Sequence, residues 1–578
     1  MPPRRRLYKI LRIAGLVIVG GLLLIGIGGS IASHYFKSRI LAKLPQLAAK
    51  ATDSLYKVSV EDFRINIFTG QVTVYGLRLR PDSDAVARKR AEGRLPSLLA
   101  TVYIPQVRLW GVHWSDALKE KELSCRKAQL DAPQIDIRLT GSTYKPLSKP
   151  GESLKDVWVK SATILRPVIR VQGAGEAPFL LTASGGKLLL RDWRYVPHHR
   201  DTTRFFYTAS LRANLDSLRY SKAGNLYILK AGGLHFDTDS SSLMLRQLSY
   251  APAVSYDSFY KVIGYRRTIY NFHTASATVK DFDWRSFIYR NVWRAEALSL
   301  TAPALQLFYS KVPPPNTSPR TGVFPDDFIQ SLGHGLYMPN VIISQGSVEY
   351  REQDNRTLRE GSILFNNMDG LALHITNDTL RKASPSYLLM HGTLFDRSPF
   401  AVALRFDTHD TDGHFASVGM LSNLTADMVS RPVEVLALAS VKSLQMGHMD
   451  MSIHGNKDSA EGDFAIGYDK LRIRIQYFDS LTERVKGKNV LSFMANNVFL
   501  NPSNPLPGEA FRRVHPVVYR DEGQPFFSLV WKLMFNGILQ TALRDRQMLD
   551  RFRDRRKLHL VKKLQKKTAR ELNAALQR

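Results

Sequence analysis

The stretch 406–415, FDTHDTDGHF, crowds Asp407, His409, Asp410, Asp412 and His414 together. Carboxylates and imidazoles at this density could bind a cation, and a hydrolase could be built on such a site. The order of the residues argues against it. The stretch has neither the ligand sequence of a calcium loop nor its closing glutamate, and the alternating VALRF (402–406) runs directly into it. A polar hairpin tip turning on Asp-Gly is the preferred reading. VPHHRD (196–201) reads as a loop with no assignable partner residues. The chain carries no G-x-S-x-G elbow and no H-E-x-x-H, and SGGKL (184–188) lacks the upstream glycine and the Ser/Thr of a phosphate loop. These readings predict no enzyme, no catalytic residue, no metal site and no cofactor. A hydrolase at 407–414 is the weakest of three functional readings.

The elements around these residues are mostly strands. In FRINIFTGQVTVYGLRLRPDS, Phe63, Ile65 and Ile67 share one parity and Val72 and Val74 return after the turn. Gly76 then shifts the phase to Leu77 and Leu79, as a β-bulge or bent strand would require. A Pro-x-apolar-x-apolar motif recurs five times: DAPQIDIRL (131), LRPVIRVQG (165), YAPAVSYDS (250), TAPALQLFY (301) and YMPNVIISQ (337). Proline lacks the ladder donor and is tolerated at edges, strand starts and bulges, so its recurrence predicts long strands that bend at one level of a sheet. The prolines are spaced irregularly, which excludes a strict solenoid. Alternation alone fits two faces covering each other in a sandwich better than an open surface.

Composition bounds the partners. The chain has 578 residues, 44% hydrophobic and 23% charged, with a formal charge of +30, so it is a folded protein attracted to something anionic. Residues 1–12 form a basic tail, and 13–33, IAGLVIVGGLLLIGIGGSIAS, hold no charge. At 1.5 Å per residue that run matches the roughly 30 Å hydrocarbon core of a bilayer. A cleaved signal peptide is the rival reading, but its apolar run would be unusually long, and a retained transmembrane helix is preferred. The preceding Arg4, Arg5, Arg6, Lys9 and Arg12 favour a cytoplasmic N-terminus. The bulk of the chain then lies beyond the membrane, which disfavours nucleic acid. The single cysteine, Cys125, can form no internal disulfide, as suits a bacterial periplasm better than a eukaryotic lumen.

The remaining divisions are a juxtamembrane helix at 34–57, a first β-rich half at 58–310, a Pro-rich linker at 311–325, a second β-rich half at 326–524 and a helical, basic region at 525–578. TADMVSRPVEVLALAS reads as a short helix interrupting the sheet. Residues 544–578 hold 13 Lys/Arg against 4 Asp/Glu, a net of 13 − 4 = +9. Arg555, Arg556, Lys557, Lys562, Lys563, Lys566 and Lys567 suit either an anionic membrane surface or an envelope protein; a solvated helix packed on the sheet end is the equal alternative.

YKVSVEDFRINIFTGQVTVYGLRLRPD (56–82), following an N-terminal span, resembles the opening of AsmA-family envelope proteins of the Bacteroidetes type. The blocks 344–378 and 440–475 (with Ala460, Gly462 and Tyr468) and the closing YRDEGQPFFSLVWKLMFNGI (519–538) share that likeness. The resemblance implies a mainly β fold: a long, curled, mostly antiparallel, groove-like sheet related to the repeating β-groove bridge-like lipid-transfer proteins. It implies an inner-membrane, single-pass protein that binds phospholipid in an apolar groove and supports its transport and outer-membrane homeostasis. Ile135, Ile137, Ile169, Val171, Leu305, Leu307, Val341 and Ile343 are the expected lining. The alternative is a non-enzymatic envelope scaffold or regulator of outer-membrane protein assembly, with a closed β core.

Overall fold

The computed structural model describes residues 54–544 apart from 67–68, 114–121, 144–155, 176–177, 197–200, 317–323, 379–384, 438, 480–483, 488–495, 497–498 and 522–524, together with residues 49 and 52. It is mainly β. A single 29-stranded sheet, mostly antiparallel, takes in every strand among the described residues. Among the described residues five α-helices and one π-helical turn (Ser286–Arg290) accompany it: α1 (Ser83–Ala91), α2 (Tyr256–Ile263), α3 (Pro325–Gln330), α4 (Ala426–Ala437) and α5 (Phe526–Ala542). The segments at 1–12 and 13–33, and nearly all of the expected helix at 34–57, lie outside the described residues. Tyr56 and Lys57, read as the end of that helix, instead open the strand Tyr56–Ser59. Among the described residues no helix is long and apolar enough to cross a membrane.

Residues on the two sides of 311–325 share the sheet. The strand Gly335–Gln353 receives Val292–Arg294, Ala297–Thr301 and Ala304–Ser310 in parallel and Glu360–Thr376 antiparallel. Parallel pairing also joins Glu122–Asp131 to Asp156–Leu165 and Gln134–Leu139 to Val168–Gln172.

A line of backbone breaks crosses the sheet at one level. Gly76, Ala132, Arg166, Gly185, Gly186, Gln247, Ala302, Gln345 and Asn367 all have φ between +46° and +78°. A residue in this left-handed region interrupts the extended zigzag, so the side-chain alternation changes phase across it. Val72 and Val74 are succeeded by Leu77 and Leu79, Ala128 and Leu130 by Ile135 and Ile137, and Val341 and Ile343 by Val348 and Tyr350. Hydrogen bonds carry the ladder through the break: Ala132 N–H donates to the Leu165 carbonyl (2.8 Å), Arg166 to Gly186 (2.8 Å) and Ala302 to Ser344 (2.7 Å). The carbonyls of Pro133, Pro167 and Pro303 accept from Val168, Gly185 and Ser347. Proline's missing donor thus falls where the ladder is already interrupted. Three of the five motif prolines mark this line. Pro339 instead precedes the break at Gln345, and Pro252 ends a strand that breaks at Gln247. The sheet is thereby creased into two limbs.

The C-terminal edge is covered. Along the strand Ser459–Asp479, the Asn496 side-chain amide accepts from Ile473 N–H (2.8 Å) and donates to its carbonyl (2.7 Å). Further along, Tyr468 exchanges backbone hydrogen bonds with Asn504, and Leu471 donates to Pro502. These contacts satisfy edge groups that would otherwise pair with another strand. α5 then packs Leu529 and Leu533, both 0% exposed, against Phe464 and Val518. The Lys457 ammonium, held between Asp326 (2.9 Å) and Asp327 (2.7 Å), fastens α3 to the hairpin before Ser459.

The crease predicts opposite responses at two of its positions. A Cβ on Gly186 would lie 2.1 Å from the Asn214 carbonyl oxygen at φ +67°. Gly186→Ala is expected to cost more than about 2 kcal/mol and to lower the thermal midpoint. Ala302→Gly relieves a left-handed alanine (φ 48°) and should leave the midpoint unchanged or raised. Thermal unfolding of the two variants checks this.

Candidate apolar groove

The strand register lines up the apolar side chains of successive strands. On the first limb, Ala100, Ile137, Val171, Leu181, Tyr220, Leu229, Tyr250, Phe272, Leu305, Val348, Phe365 and Leu394 are each the register partner of the next. On the second limb the same is true from Phe63 through Val74, Val107, Leu130, Ile164, Leu188, Ala213, Phe236, Leu243, Val279, Leu298, Val341, Ala372 and Leu388 to Leu404. On the first limb the opposite parity is polar from Thr101 through Asp136, Arg170, Thr182 and Arg219 to Lys230. On the second limb that parity turns apolar from Ile342 through Leu371, Leu389 and Ala403 to Val418, with Ile342, Leu389 and Val418 exposed. Register partners lie about 4.5–5.5 Å apart, so each apolar row is continuous.

The two limbs turn these rows to a common interior. At the N-terminal end Leu79 and Val102 of the first limb share one cluster with Val74 and Val107 of the second. That end is closed: Ala100, Val74 and Val107 are 0% exposed, and the Tyr56 hydroxyl accepts a hydrogen bond from Ala100 N–H (3.1 Å). The C-terminal end is closed by α5 over Ile453 and Phe464. Between them the first-limb row opens. Leu181, Tyr220, Leu229, Phe272, Leu305, Val348 and Phe365 are half-buried, and Tyr250 is 37% exposed. Leu234, Leu245, Leu300 and Ile343 form the facing row beside the crease and are also half-buried. An aromatic flap of Phe205, Phe282, Trp284 and Phe287 partly covers the outer row of the second limb, with Phe205 5.2 Å from the Phe236 ring. From Leu181 to Phe365 there are seven strand-to-strand steps, roughly 34 Å at about 4.8 Å each.

Tyrosines line the far side of the open stretch. Tyr250 stacks on Tyr227 at 4.9 Å, Tyr270 is 46% exposed, and the Tyr350 hydroxyl donates to Glu352 (2.6 Å). Burial, reinforced by the Glu352 carboxylate, pushes the Tyr350 phenol above its ordinary value, so it stays a neutral donor. Tyrosine gives such a margin an apolar ring and a polar tip.

The structure divides the residues expected to line the groove. Ile135, Ile137, Ile169, Val171, Leu305 and Leu307 stand on the first limb, and Val341 and Ile343 on the second. Ile137 and Val171, each 5% exposed, belong to a closed cluster with Leu98 and Leu139. Leu305, Leu307, Val341 and Ile343 are half-buried in the central stretch. The aromatic members Tyr220, Phe272 and Phe365 fall in none of the Pro-x-apolar-x-apolar motifs, and Tyr250 opens one outside its apolar positions, although each lies on the apolar row of its strand. Arg555, Arg556, Lys557, Lys562, Lys563, Lys566 and Lys567 lie outside the described residues. The His/Asp-rich stretch is the loop between the strands Ser398–Phe406 and Phe415–Thr425. There Asp410 accepts from Asp412 N–H, His414 N–H and His414 Nδ1 (2.7 Å), so its carboxylate organises the turn.

No family model matches the chain, and a search of curated proteins finds no match to it.

Cysteine accessibility separates the closed end from the open middle. Burial pushes the native Cys125 thiol up to about 12, so it should stay unreactive towards maleimide at pH 8 until the protein unfolds. Against that silent background, Leu181→Cys and Leu305→Cys should be labelled in the native protein and Val107→Cys should not. Equal protection at all three positions would mean that the middle is covered.

Proposed function

We propose that the protein binds lipid acyl chains along the central stretch of the creased sheet and supports phospholipid movement in a cell envelope, without making or breaking bonds. The observation that carries this reading is the unbroken first-limb row from Leu181 to Phe365, left half-buried where both its ends are closed. A bilayer's hydrocarbon core of about 30 Å holds two chain lengths, so a stretch of roughly 34 Å accepts two acyl chains end to end. Each methylene removed from water contributes about 0.8 kcal/mol, and side chains on one parity of consecutive strands supply a surface without polar interruption. The likeness to AsmA-like envelope proteins agrees with this reading and adds inner-membrane anchorage through 13–33, although no family model match carries that likeness. The closed-core scaffold is the less favoured reading, because no second sheet covers the central row among the described residues.

Purified full-length protein is expected to carry co-extracted phospholipid detectable by mass spectrometry. Phe272→Asp should lower the lipid-to-protein ratio severalfold while leaving the circular dichroism spectrum and thermal midpoint near wild type. Lipid-free wild-type protein, or global unfolding of Phe272→Asp, would contradict an open groove and favour the closed core.

A further inference from the structure

α5 departs from the usual amphipathic pattern, being apolar on both faces. One face is core: Leu529 and Leu533 are fully buried, and Gly537 lets the helix approach Phe464 so closely that a Cβ there would meet its ring at 2.8 Å. The other face repeats at intervals of four, four and three residues. It presents Phe527, Trp531, Phe535 and Ile538, with exposures of 79%, 54%, 47% and 39%. Ser528, Lys532, Asn536 and Gln540 run along one boundary between the two apolar faces, and a surface helix normally keeps its large apolar residues on the core side only. Here 17 residues lie on the end of the sheet with one aromatic stripe uncovered among the described residues.

The geometry points to an anionic bilayer surface as the occupant. Phenylalanine, tryptophan and isoleucine along about 16 Å of one helix face suit the interface between headgroups and acyl chains, where a helix lies in the membrane plane. Charge supports this choice. The helix hands the chain on at Arg544 to residues 545–578, which hold 12 Lys/Arg against 4 Asp/Glu, a net of 12 − 4 = +8. Anionic lipid attracts such a segment to the bilayer surface while the apolar stripe enters it. The only charged residue of α5 itself, Lys532, is drawn to the side, its ammonium donating to Tyr519 O (2.7 Å) and Asp521 (2.9 Å), so no cation interrupts the stripe. This surface lies at the closed C-terminal end, apart from the half-buried central row, and its assignment does not rest on what that row holds.

The test uses the full chain in lipid nanodiscs, so that its N-terminal apolar segment is already occupied, and co-flotation with added vesicles. Wild type should float with phosphatidylcholine vesicles containing about one-third phosphatidylglycerol and far less with phosphatidylcholine alone. The triple variant Phe527→Ser, Trp531→Ser, Phe535→Ser changes only exposed positions and should bind the anionic vesicles at least tenfold more weakly, with an unchanged thermal midpoint. Wild-type affinity in the triple variant would overturn the proposal and leave attraction to the basic segment alone. Failure of wild type to float would overturn it too, as would a stripe-dependent dimer that does not bind vesicles. If deletion of 545–578 strengthens flotation, the chain's own tail is the native cover and the proposal fails.

Discussion

The architecture depends on a change of phase along one line of the sheet, from the strand Gln71–Pro81 to the strand Glu360–Thr376. A β-strand alternates its faces strictly, so a strand long enough to serve two limbs would carry its apolar parity straight through and leave the sheet uncreased. A single left-handed residue, such as Gly76, Ala132, Arg166, Ala302 or Gln345, resets that parity. Because the resets share one level in the register, they make a line across the sheet. For a residue other than glycine each left-handed conformation costs about 1–2 kcal/mol. The backbone hydrogen bonds from Ala132, Arg166 and Ala302 to the next strand keep the ladder intact at those points.

From this constraint the distribution of burial follows. Where the chain has material to lay over the crease, the apolar rows become core: Tyr56, α1 and the neighbouring N-terminal strands at one end, α5 at the other. Between them stands a sheet with continuous apolar rows, on which the aromatic flap lies over the second limb and α2 packs against Tyr227, Ile269 and Phe308 at the outer end of the first. Two closed ends and an open middle make a groove-like sheet whose central row is reached from the side. Behind the first limb the opposite face is polar, with pairs such as Asp136–Arg170 (3.1 Å), which gives that part of the sheet a solvated back and argues against a second layer on it.

Much of this was legible in the sequence. The phase change at Gly76 and the Pro-x-apolar-x-apolar motifs disclosed strands that bend, because both signals are local and a proline has few places in a sheet. Residues at α4 and α5 also read as helices. Which apolar residues become core and which remain half-exposed was not legible, because that depends on what lies above them. Ile137 and Leu305 sit in the same motif and on the same row, yet Ile137 is covered by Leu98 and Leu139 while Leu305 belongs to the open stretch. Tyr220 and Phe272 were overlooked because short strands joined by tight turns hide a row that only the register assembles. The exposed stripe of α5 was likewise invisible: its composition predicts a buried helix on both faces.

The central claim is that one stretch of a continuous apolar row is accessible to acyl chains and its ends are not. Photo-crosslinking along the first-limb row tests it most directly, with a benzophenone side chain placed in turn at Ile137, Leu181, Phe272, Phe365 and Leu394 in the full-length protein. Lipid adducts confined to Leu181, Phe272 and Phe365 are the predicted result. Adducts at none of the five positions, or equally at Ile137 and Leu394, would contradict the account.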